Sequence, residues 1–243
     1  SVGALDHQIA FFRRGDSAIV VAAYDATAQT GFSHDTIDAA LAVAPAASPD
    51  SAIVSTDSAA HRHGVLVARA EWRPAIISVE TRDSTERRVA RARAVFRPPS
   101  SSGRVTISDL LLFDDASKLP TSLDEATARA RGSLKVDRTK PVGVYWEMYG
   151  VSPEGETLAY RLTVTRERTP WYRRAAEKLG VVERRAPVRM QWDEPSARPG
   201  AAHARALAVD FSTLPEGRYR LELMLETGSL TIATATRTVE VTR

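Results

Sequence analysis

Hydrophobic and polar residues alternate with a period of two along most of this chain, which is the pattern of β-strands with one buried face. The clearest examples are the runs 142–149 and 158–165. Between them lies the segment 152–156, whose proline and glycine are typical of a hairpin turn. Two strands joined in this way pair antiparallel.

The C-terminal segment repeats the pattern. Residues 214–219 lead into an alternating run at 221–225, followed by a turn at 226–229 and a threonine-rich return strand. Tyr219 precedes the penultimate strand in a Gly-x-Tyr sequence, which resembles the tyrosine corner of Greek-key sandwiches. Trp146, on the apolar side of its strand, is predicted to be the matching core aromatic.

The first half ends in a similar unit, with strands predicted at 74–80 and 88–96. Overlaid without gaps on the C-terminal unit, Ile77 meets Leu221 and Val79 meets Leu223. The overlay indicates a weak internal repeat of a sandwich of roughly 100–120 residues.

The best linker in the sequence is the Pro/Ser/Gly segment 98–103. It predicts one sandwich over 1–99 and a second over 100–243, whose first strand would be 105–113.

Two short helices are predicted as insertions in the second sandwich, near 122–131 and 170–179. Ser122 and Glu125 have capping-box spacing, and Gly132 would close that turn. Thr169 and Pro170 form a helix start with a glycine stop at Gly180. The sequence therefore predicts an all-β protein of two tandem immunoglobulin-like or fibronectin-like β-sandwiches with small helical insertions.

Composition narrows the classes of function. The chain has no cysteine, which excludes disulfides, thiolate metal sites and cysteine nucleophiles. Of its 33 basic residues only four are lysines, and the formal net charge is +3. This arginine bias with abundant alanine indicates a GC-rich bacterial genome. Because basic and acidic residues are interleaved, we expect no nucleic-acid partner.

The longest apolar runs, such as 18–23, are far shorter than the ~20 residues that a membrane-spanning helix needs. We therefore expect no membrane span within these residues. The chain opens with Ser1 and Val2, so the absence of a leader does not argue for the cytoplasm.

His61 and His63 are the sharpest local candidates for chemistry, because residues two apart on a strand project from one face and could share a zinc ion. No spacing rule supplies the remaining ligands, and the alternative is a polar loop. The sequence shows no phosphate-binding glycine loop, nucleophile elbow or HExxH helix. We therefore expect no cofactor and no assigned metal site.

Two carboxylate pairs, Asp114-Asp115 and Asp193-Glu194, could serve acid–base chemistry or calcium. Neighbouring side chains on a strand point apart, and acidic residues commonly end strands, so the structural interpretation is preferred.

The predicted second helix carries two aromatics and two arginines, which are residue types enriched at interaction hot spots. These candidate partner-binding residues are Trp171, Tyr172, Arg173 and Arg174. The alternative is that Trp171 anchors the helix on its own sandwich.

Several motifs resemble a known family. They are the run 6–25, Ile107–Leu112, Val144–Gly150 and Leu214–Tyr219. Together they are similar to the C-terminal β-rich region of bacterial GWxTD-domain proteins, although the Gly-Trp-x-Thr-Asp motif itself is absent. The resemblance implies an exported bacterial protein and carries no catalytic residues.

From these observations we expect a non-catalytic binding or structural module that is periplasmic, cell-surface or secreted. Its partner would be another protein or other domains of the same polypeptide. One alternative is an accessory carbohydrate-binding module with Tyr145, Tyr149 and Tyr172 as stacking faces. Another is a metal-dependent hydrolase that uses His61 or His63.

Overall fold

The structure is a computed structural model that describes residues 2–29, 32, 34, 36–98, 105–151, 157–167, 188–195, 202–227 and 230–243. The predicted hairpin turn at 152–156, most of the linker at 98–103 and the second helix at 170–179 lie outside the described residues. The domain boundary near residue 99 therefore stays a prediction.

The described residues form seventeen strands and one short α-helix. In chain order they are β1 Val2–Ala4, β2 Asp6–Arg14, β3 Ser17–Asp25, β4 Thr36–Pro45, β5 Ile53–His61, β6 His63–Glu71, β7 Ala75–Asp83, β8 Arg88–Phe96, β9 Thr106–Ile107, β10 Leu111–Phe113, α1 Leu123–Thr127, β11 Lys135–Asp137, β12 Val142–Tyr149, β13 Thr157–Arg166, β14 Val188–Pro195, β15 His203–Val209, β16 Gly217–Thr227 and β17 Leu230–Thr242.

These strands make four sheets, two in each sandwich. Sheet I has the order β1-β8-β7-β4-β5 and sheet II the order β2-β3-β6. Sheet III has the order β10-β12-β15, with β9 also beside β12, and sheet IV the order β11-β17-β16-β13-β14. In both sandwiches a short strand pairs parallel with the last strand, and the remaining ladders are antiparallel.

The two sandwiches therefore share one strand arrangement. A smaller sheet, of three strands in the first sandwich and four in the second, faces a five-stranded sheet that is built around the last two strands. This is the immunoglobulin-like arrangement that the sequence predicted. Each sandwich has its own core: Leu41 and Ile77 lie at the centre of the first, and Trp146 and Leu221 at the centre of the second. The all-β tandem-sandwich prediction is confirmed.

The tyrosine corner is present as predicted. Tyr219 is 3% exposed at the start of β16, and its hydroxyl donates a hydrogen bond to the Pro215 carbonyl at 2.8 Å. Trp146 is also where the sequence placed it, packed in the core at 6.4 Å from the ring of Tyr160. Both features follow from local alternation, which fixes the buried face of a strand.

The first strand of the second sandwich differs from its prediction, because 105–113 is broken into β9 and β10. At the break the Ser108 hydroxyl accepts a hydrogen bond from the Glu147 amide, while Asp109 turns toward Phe11 of the first sandwich. The sequence pattern did not reveal this interruption because Glu147 and Phe11, which contact residues 108 and 109 at the break, lie far away along the chain.

Helix α1 begins as predicted at Ser122, whose side chain accepts a hydrogen bond from the Glu125 amide at 3.3 Å. It ends at Thr127, before Gly132, so the expectation that Gly132 closes this turn was wrong. Gly132 instead lies against the backbone of β3: a Cβ atom there would stand 2.1 Å from the Tyr24 carbonyl oxygen.

Candidate functional site

Among the described residues, the candidate site is the junction between the two sandwiches, where apolar packing is combined with buried hydrogen bonds. Sheets II and III pack face to face, so their central strands β3 and β12 are covered on both sides. A third hydrophobic cluster, here called the interdomain core, fills the space between them. Its members are Ala10, Phe12, Val21, Leu111, Phe113, Leu123, Ala126 and Tyr145.

This packing explains why β12 is buried along nearly its whole length rather than on alternate residues. Val144 and Trp146 face the core of the second sandwich, whereas Tyr145 faces the interdomain core. Helix α1 contributes Leu123 and Ala126 to the same cluster, so it joins the two sandwiches rather than decorating one end.

A buried carboxylate lies beside this core. Glu147 is 3% exposed and receives two hydrogen bonds from the Arg14 guanidinium, at 2.5 and 2.8 Å. The hydroxyls of Tyr145 and Tyr149 donate to it at 2.9 and 2.8 Å. These four bonds use both carboxylate oxygens, and the arginine binds in the bidentate geometry. The same hydrogen bonds raise the pKa of Arg14.

The outer edge of β2 is covered by side chains from the second sandwich. The Phe11 amide donates to the Asp109 carboxylate at 3.1 Å, and the Arg13 amide donates to the Tyr149 hydroxyl at 2.9 Å. Arg237 donates to the Ile9 carbonyl at 3.0 Å. An edge strand exposes unpaired backbone groups, and here the neighbouring domain satisfies them.

A side chain of the first sandwich also bonds to the backbone of the second. This is Gln8, which is buried in β2. Its amide nitrogen donates to the carbonyls of Leu112 and Arg131 at 2.7 and 2.8 Å, and its amide oxygen accepts from the Leu112 amide at 2.9 Å. The two sandwiches are thus fixed in position by hydrogen bonds across the junction as well as by apolar packing.

Asp109 is a titratable group in a poorly solvated position at the junction. Burial raises the pKa of Asp109, and the charge of Arg237 and the hydrogen bond from Phe11 oppose that rise. Burial also lowers the pKa of Arg237, against the opposing charge of Asp109. The junction therefore contains a carboxyl group whose pKa is raised by burial and an arginine whose pKa is lowered by burial.

We expect Asp109→Asn to change the pH dependence of stability. A carboxyl whose pKa is higher in the folded state contributes stability at low pH, and this contribution is lost as the pH rises through the raised pKa. The unfolding free energy of the wild type minus that of the variant should therefore fall between acidic and neutral pH. Urea unfolding at both pH values measures it.

Asp137→Asn is the matched control, because hydrogen bonds from Thr139 lower the pKa of Asp137. The contribution of Asp137 to stability is present above the ordinary carboxyl pKa and is lost on acidification. The unfolding free energy of the wild type minus that of Asp137→Asn should therefore rise between acidic and neutral pH. If the unfolding free energy of the wild type minus that of Asp109→Asn stays flat or rises with pH, the raised pKa of Asp109 is contradicted.

The junction opens at one side into a groove of about 530 Å³. Phe11, Trp72 and Phe96 line it from the first sandwich. The Phe11 and Phe96 rings stack at 4.0 Å, and Trp72 meets Phe96 edge-on at 5.1 Å. Facing them are Thr106, Ile107, Asp109, Ile232, Thr234 and Thr236.

The sequence-predicted candidates lie elsewhere. His61 and His63 flank Arg62 where β5 continues into β6, with ring centroids 6.4 Å apart. Within the part of the chain that the structure describes, no three His, Asp or Glu residues are grouped so as to hold a metal ion. The partner-binding residues Trp171, Tyr172, Arg173 and Arg174 lie outside the described residues.

The carboxylate pairs have structural partners. Asp114 forms an ion pair with Arg131, and Glu194 with Arg205 at 2.5 Å. For two of the three tyrosines proposed to stack on sugar rings, the prediction was wrong. Tyr145 is 0% exposed, and the hydroxyl of Tyr149 lies between Glu147 and the Arg13 amide.

No helix among the described residues is long and apolar enough to cross a membrane.

Comparisons with known proteins give neither a family nor a curated relative: no family model matches the chain, and no curated protein matches it. Among solved structures, the chain is similar to a tetra-tandem repeat from the extending region of a large adhesion protein. The identity is 13% and the TM-score 0.30, over 98% of this chain and 50% of that one.

The chain is also similar to the FN1–FN3 domains of chicken CNTN1. The identity is 10% and the TM-score 0.32, over 99% of this chain and 67% of that one. This chain spans half the length of the adhesion-protein repeats. At these TM-scores neither similarity carries an argument about function, and the immunoglobulin-like assignment rests on the strand order given above.

Proposed function

We propose that this chain is a non-catalytic binding or structural module of an exported bacterial protein, which presents strand edges and loops to another protein. The observation that carries the proposal is the junction, where packed sheets and buried hydrogen bonds hold two sandwiches as one unit. A scaffold that fixes the spacing of its outer surfaces is suited to contact a partner at more than one point.

The chemistry of the described residues supports a non-catalytic role. Glu147, the buried carboxylate beside the interdomain core, has both oxygens occupied by four donors. A general acid or base must reach a substrate proton within hydrogen-bonding distance, and this carboxylate has no position left for one. His61 and His63 are exposed at a strand corner away from it.

The bacterial and exported parts of the proposal rest on the sequence. They are supported by the preference for arginine over lysine and by the resemblance to the β-rich region of GWxTD-domain proteins.

The test has two parts. Immunoblotting of separated cytosolic, membrane and exported fractions of the source cells should place the protein outside the cytosol, and a purely cytosolic band would overturn export. A turnover screen with ester, glycoside and phosphate substrates should show no activity. Turnover that exceeds a heat-denatured control would overturn the non-catalytic assignment.

The groove supports a second candidate function, the binding of a neutral sugar. Trp72 is a half-buried aromatic residue in the lining of the groove, and Thr106, Thr234 and Thr236 line it from the second sandwich. Grooves at domain junctions are common ligand sites. A glycan array should show binding that Trp72→Ala abolishes and that Leu230→Ala, at an exposed position in the other sandwich, preserves. An array without any binding removes this candidate.

A further inference from the structure

The first and the last strand of the chain lie at the same end of the molecule. β1 pairs with the beginning of β8, and β11 pairs with the end of β17. The Lys135 ammonium group donates a hydrogen bond to the Asp6 carboxylate at 2.8 Å, and Lys135 lies opposite Glu240 in the ladder of β11 and β17. The beginning of the first sandwich is therefore next to the end of the second.

The chain crosses from one sandwich to the other once, between β8 and β9, and this crossing is at the opposite end. It follows the end of β8, whereas β1 lies beside the beginning of β8. β9 pairs with the end of β12 and lines the groove together with Ile232 and Thr234 from the first half of β17. The sandwiches thus lie side by side, joined by the chain at one end only.

The hydrogen bonds across the junction follow one another along β2. From the chain ends toward the crossing they join Asp6 to Lys135, Gln8 to Leu112 and Arg131, Ile9 to Arg237, Phe11 to Asp109, Arg13 to Tyr149, and Arg14 to Glu147. A force that separates the sandwiches at the chain ends therefore loads these contacts one after another, beginning at Asp6, rather than all together.

The two ends of this series differ in strength. Asp6 and Lys135 form a surface ion pair, with side chains that are 35% and 52% exposed, and such pairs contribute little to stability. Arg14, at the other end, binds a carboxylate that is 3% exposed, on Glu147, next to the residues of β12 that pair with β9. Opening from the chain ends begins at the weaker contact.

Each sandwich has a larger core than the junction. Among the described residues, 22 buried residues form the core of the first sandwich, 21 that of the second, and eight the interdomain core. Separation of the sandwiches exposes only the smallest of these clusters, whereas unfolding of a sandwich exposes one of the larger two. We therefore expect separation to need less free energy than the unfolding of either sandwich.

We propose that the junction is a reversible mechanical latch, which means that its contacts hold the sandwiches side by side and re-form after release. Tension between the two chain ends opens it from Asp6 toward Arg14, and the sandwiches turn from side by side to end to end before either unfolds. The proposal rests on the structural role proposed above, because a structural module transmits tension between whatever is attached to its two ends.

The length of the expected step follows from the strands. At ~0.33 nm per residue, β8 spans about 3 nm and β17 about 4 nm. Turning the sandwiches end to end should therefore move the chain ends apart by roughly 5–8 nm, including the residues between β8 and β9. Unfolding of one sandwich would instead release about 30 nm of chain for ~100 residues.

Optical-tweezers measurements with handles attached at the two chain ends test the proposal. As the tension rises, the wild type should first lengthen by roughly 5–8 nm and should shorten by the same length when the tension falls. Two longer extensions, one for each sandwich, should follow at higher force.

A cross-linked variant separates opening from unfolding. Because the chain contains no cysteine, cysteines introduced by Asp6→Cys and Lys135→Cys can be joined selectively by a short bismaleimide. The cross-linked protein should lose the short step and keep the two long ones, whereas the same variant before cross-linking should still show the short step.

Ile77→Val is the matched control, because Ile77 is 0% exposed in the core of the first sandwich and does not belong to the interdomain core. It should lower the force of one long extension and leave the short step unchanged.

Three results would overturn the proposal. The first extension could be about 30 nm long, so that a sandwich unfolds before the junction opens. It could be only about 1 nm long, which is the length of the three-residue strand β1. The short step could also persist after cross-linking. None of these results concerns partner binding, so the proposed binding function would still stand.

Discussion

Replacing Glu147 with alanine is expected to destabilise the protein by about 3 kcal/mol. The substitution leaves the Arg14 guanidinium and the hydroxyls of Tyr145 and Tyr149 without the acceptor that all three share. The Glu147 side chain is 3% exposed but that of Arg14 is 34% exposed, so water can solvate part of the freed charge. We therefore expect a value at the lower end of the range for broken buried ion pairs. Urea unfolding monitored by tryptophan fluorescence measures it.

The surface ion pair between Glu80 and Arg91 provides the matched control, because its side chains are 37% and 33% exposed at a distance of 2.7 Å. Glu80→Ala should cost less than about 1 kcal/mol. The double variant Arg14→Met/Glu147→Met removes both charges of the buried pair together and should be more stable than Glu147→Ala. A cost for Glu147→Ala no larger than that for Glu80→Ala would show that the buried pair does not stabilise the junction.

The features that the sequence predicted correctly depend on neighbouring residues. Alternation along 142–149 places Trp146 in a core, and the Gly-x-Tyr sequence places Tyr219 at a corner. The capping-box spacing likewise located the start of α1 at Ser122. In each case the physical cause lies within a few residues, so it leaves a readable pattern.

The junction could not be predicted in the same way because its contacts join distant parts of the chain. Gln8 bonds to residues 104 and 123 positions away, and Arg237 reaches the carbonyl of Ile9 across 228 positions. A polar residue such as Gln8 at the start of an apolar run has the appearance of a solvent-facing strand position. That Gln8 is buried becomes apparent only from the structure, in which it bonds to Leu112 of β10.

One signal of the junction was visible in the sequence of β12. Its second face carries Gly143, Tyr145, Glu147 and Tyr149, a set with two aromatics and a glycine that is unusual for a strand face in contact with water. On sequence grounds alone, the two tyrosines are equally compatible with a surface for a ligand. Burial by a second domain explains them better, because each of their hydroxyls bonds to Glu147.

The site candidates divide in a similar way. The carboxylates of Asp114 and Glu194 form ion pairs with Arg131 and Arg205, which the sequence interpretation did not predict. His61 and His63 lie close to each other, but the additional ligands that zinc needs are not grouped with them among the described residues. The hypothesis that the Trp171 helix binds a partner stays a prediction.

Gly132 gives the second prediction with a large effect, because at this position the chain of the second sandwich lies against the backbone of the first. A Cβ atom at this position would lie 2.1 Å from the Tyr24 carbonyl oxygen and 2.8 Å from the Asp25 amide nitrogen. These are backbone atoms of β3, which is held between β2 and β6 and cannot move aside alone.

Gly132→Val should therefore separate sheets II and III. We expect a loss of about 1–3 kcal/mol of stability, as for overpacked cores, together with a larger radius of gyration in X-ray scattering. Since each sandwich keeps its own core, we also expect thermal unfolding to change from one transition toward two.

Gly15→Ala is the matched control. Gly15 has a φ of +62°, but a Cβ atom added there would have no neighbour within 4 Å, so the substitution strains the turn between β2 and β3 without touching the other sandwich. Its expected cost is about 1–2 kcal/mol, with an unchanged radius of gyration. If Gly132→Val leaves the radius of gyration unchanged as well, the sandwiches tolerate the added volume. The close approach of Gly132 to β3 would then not determine the relative position of the two sandwiches.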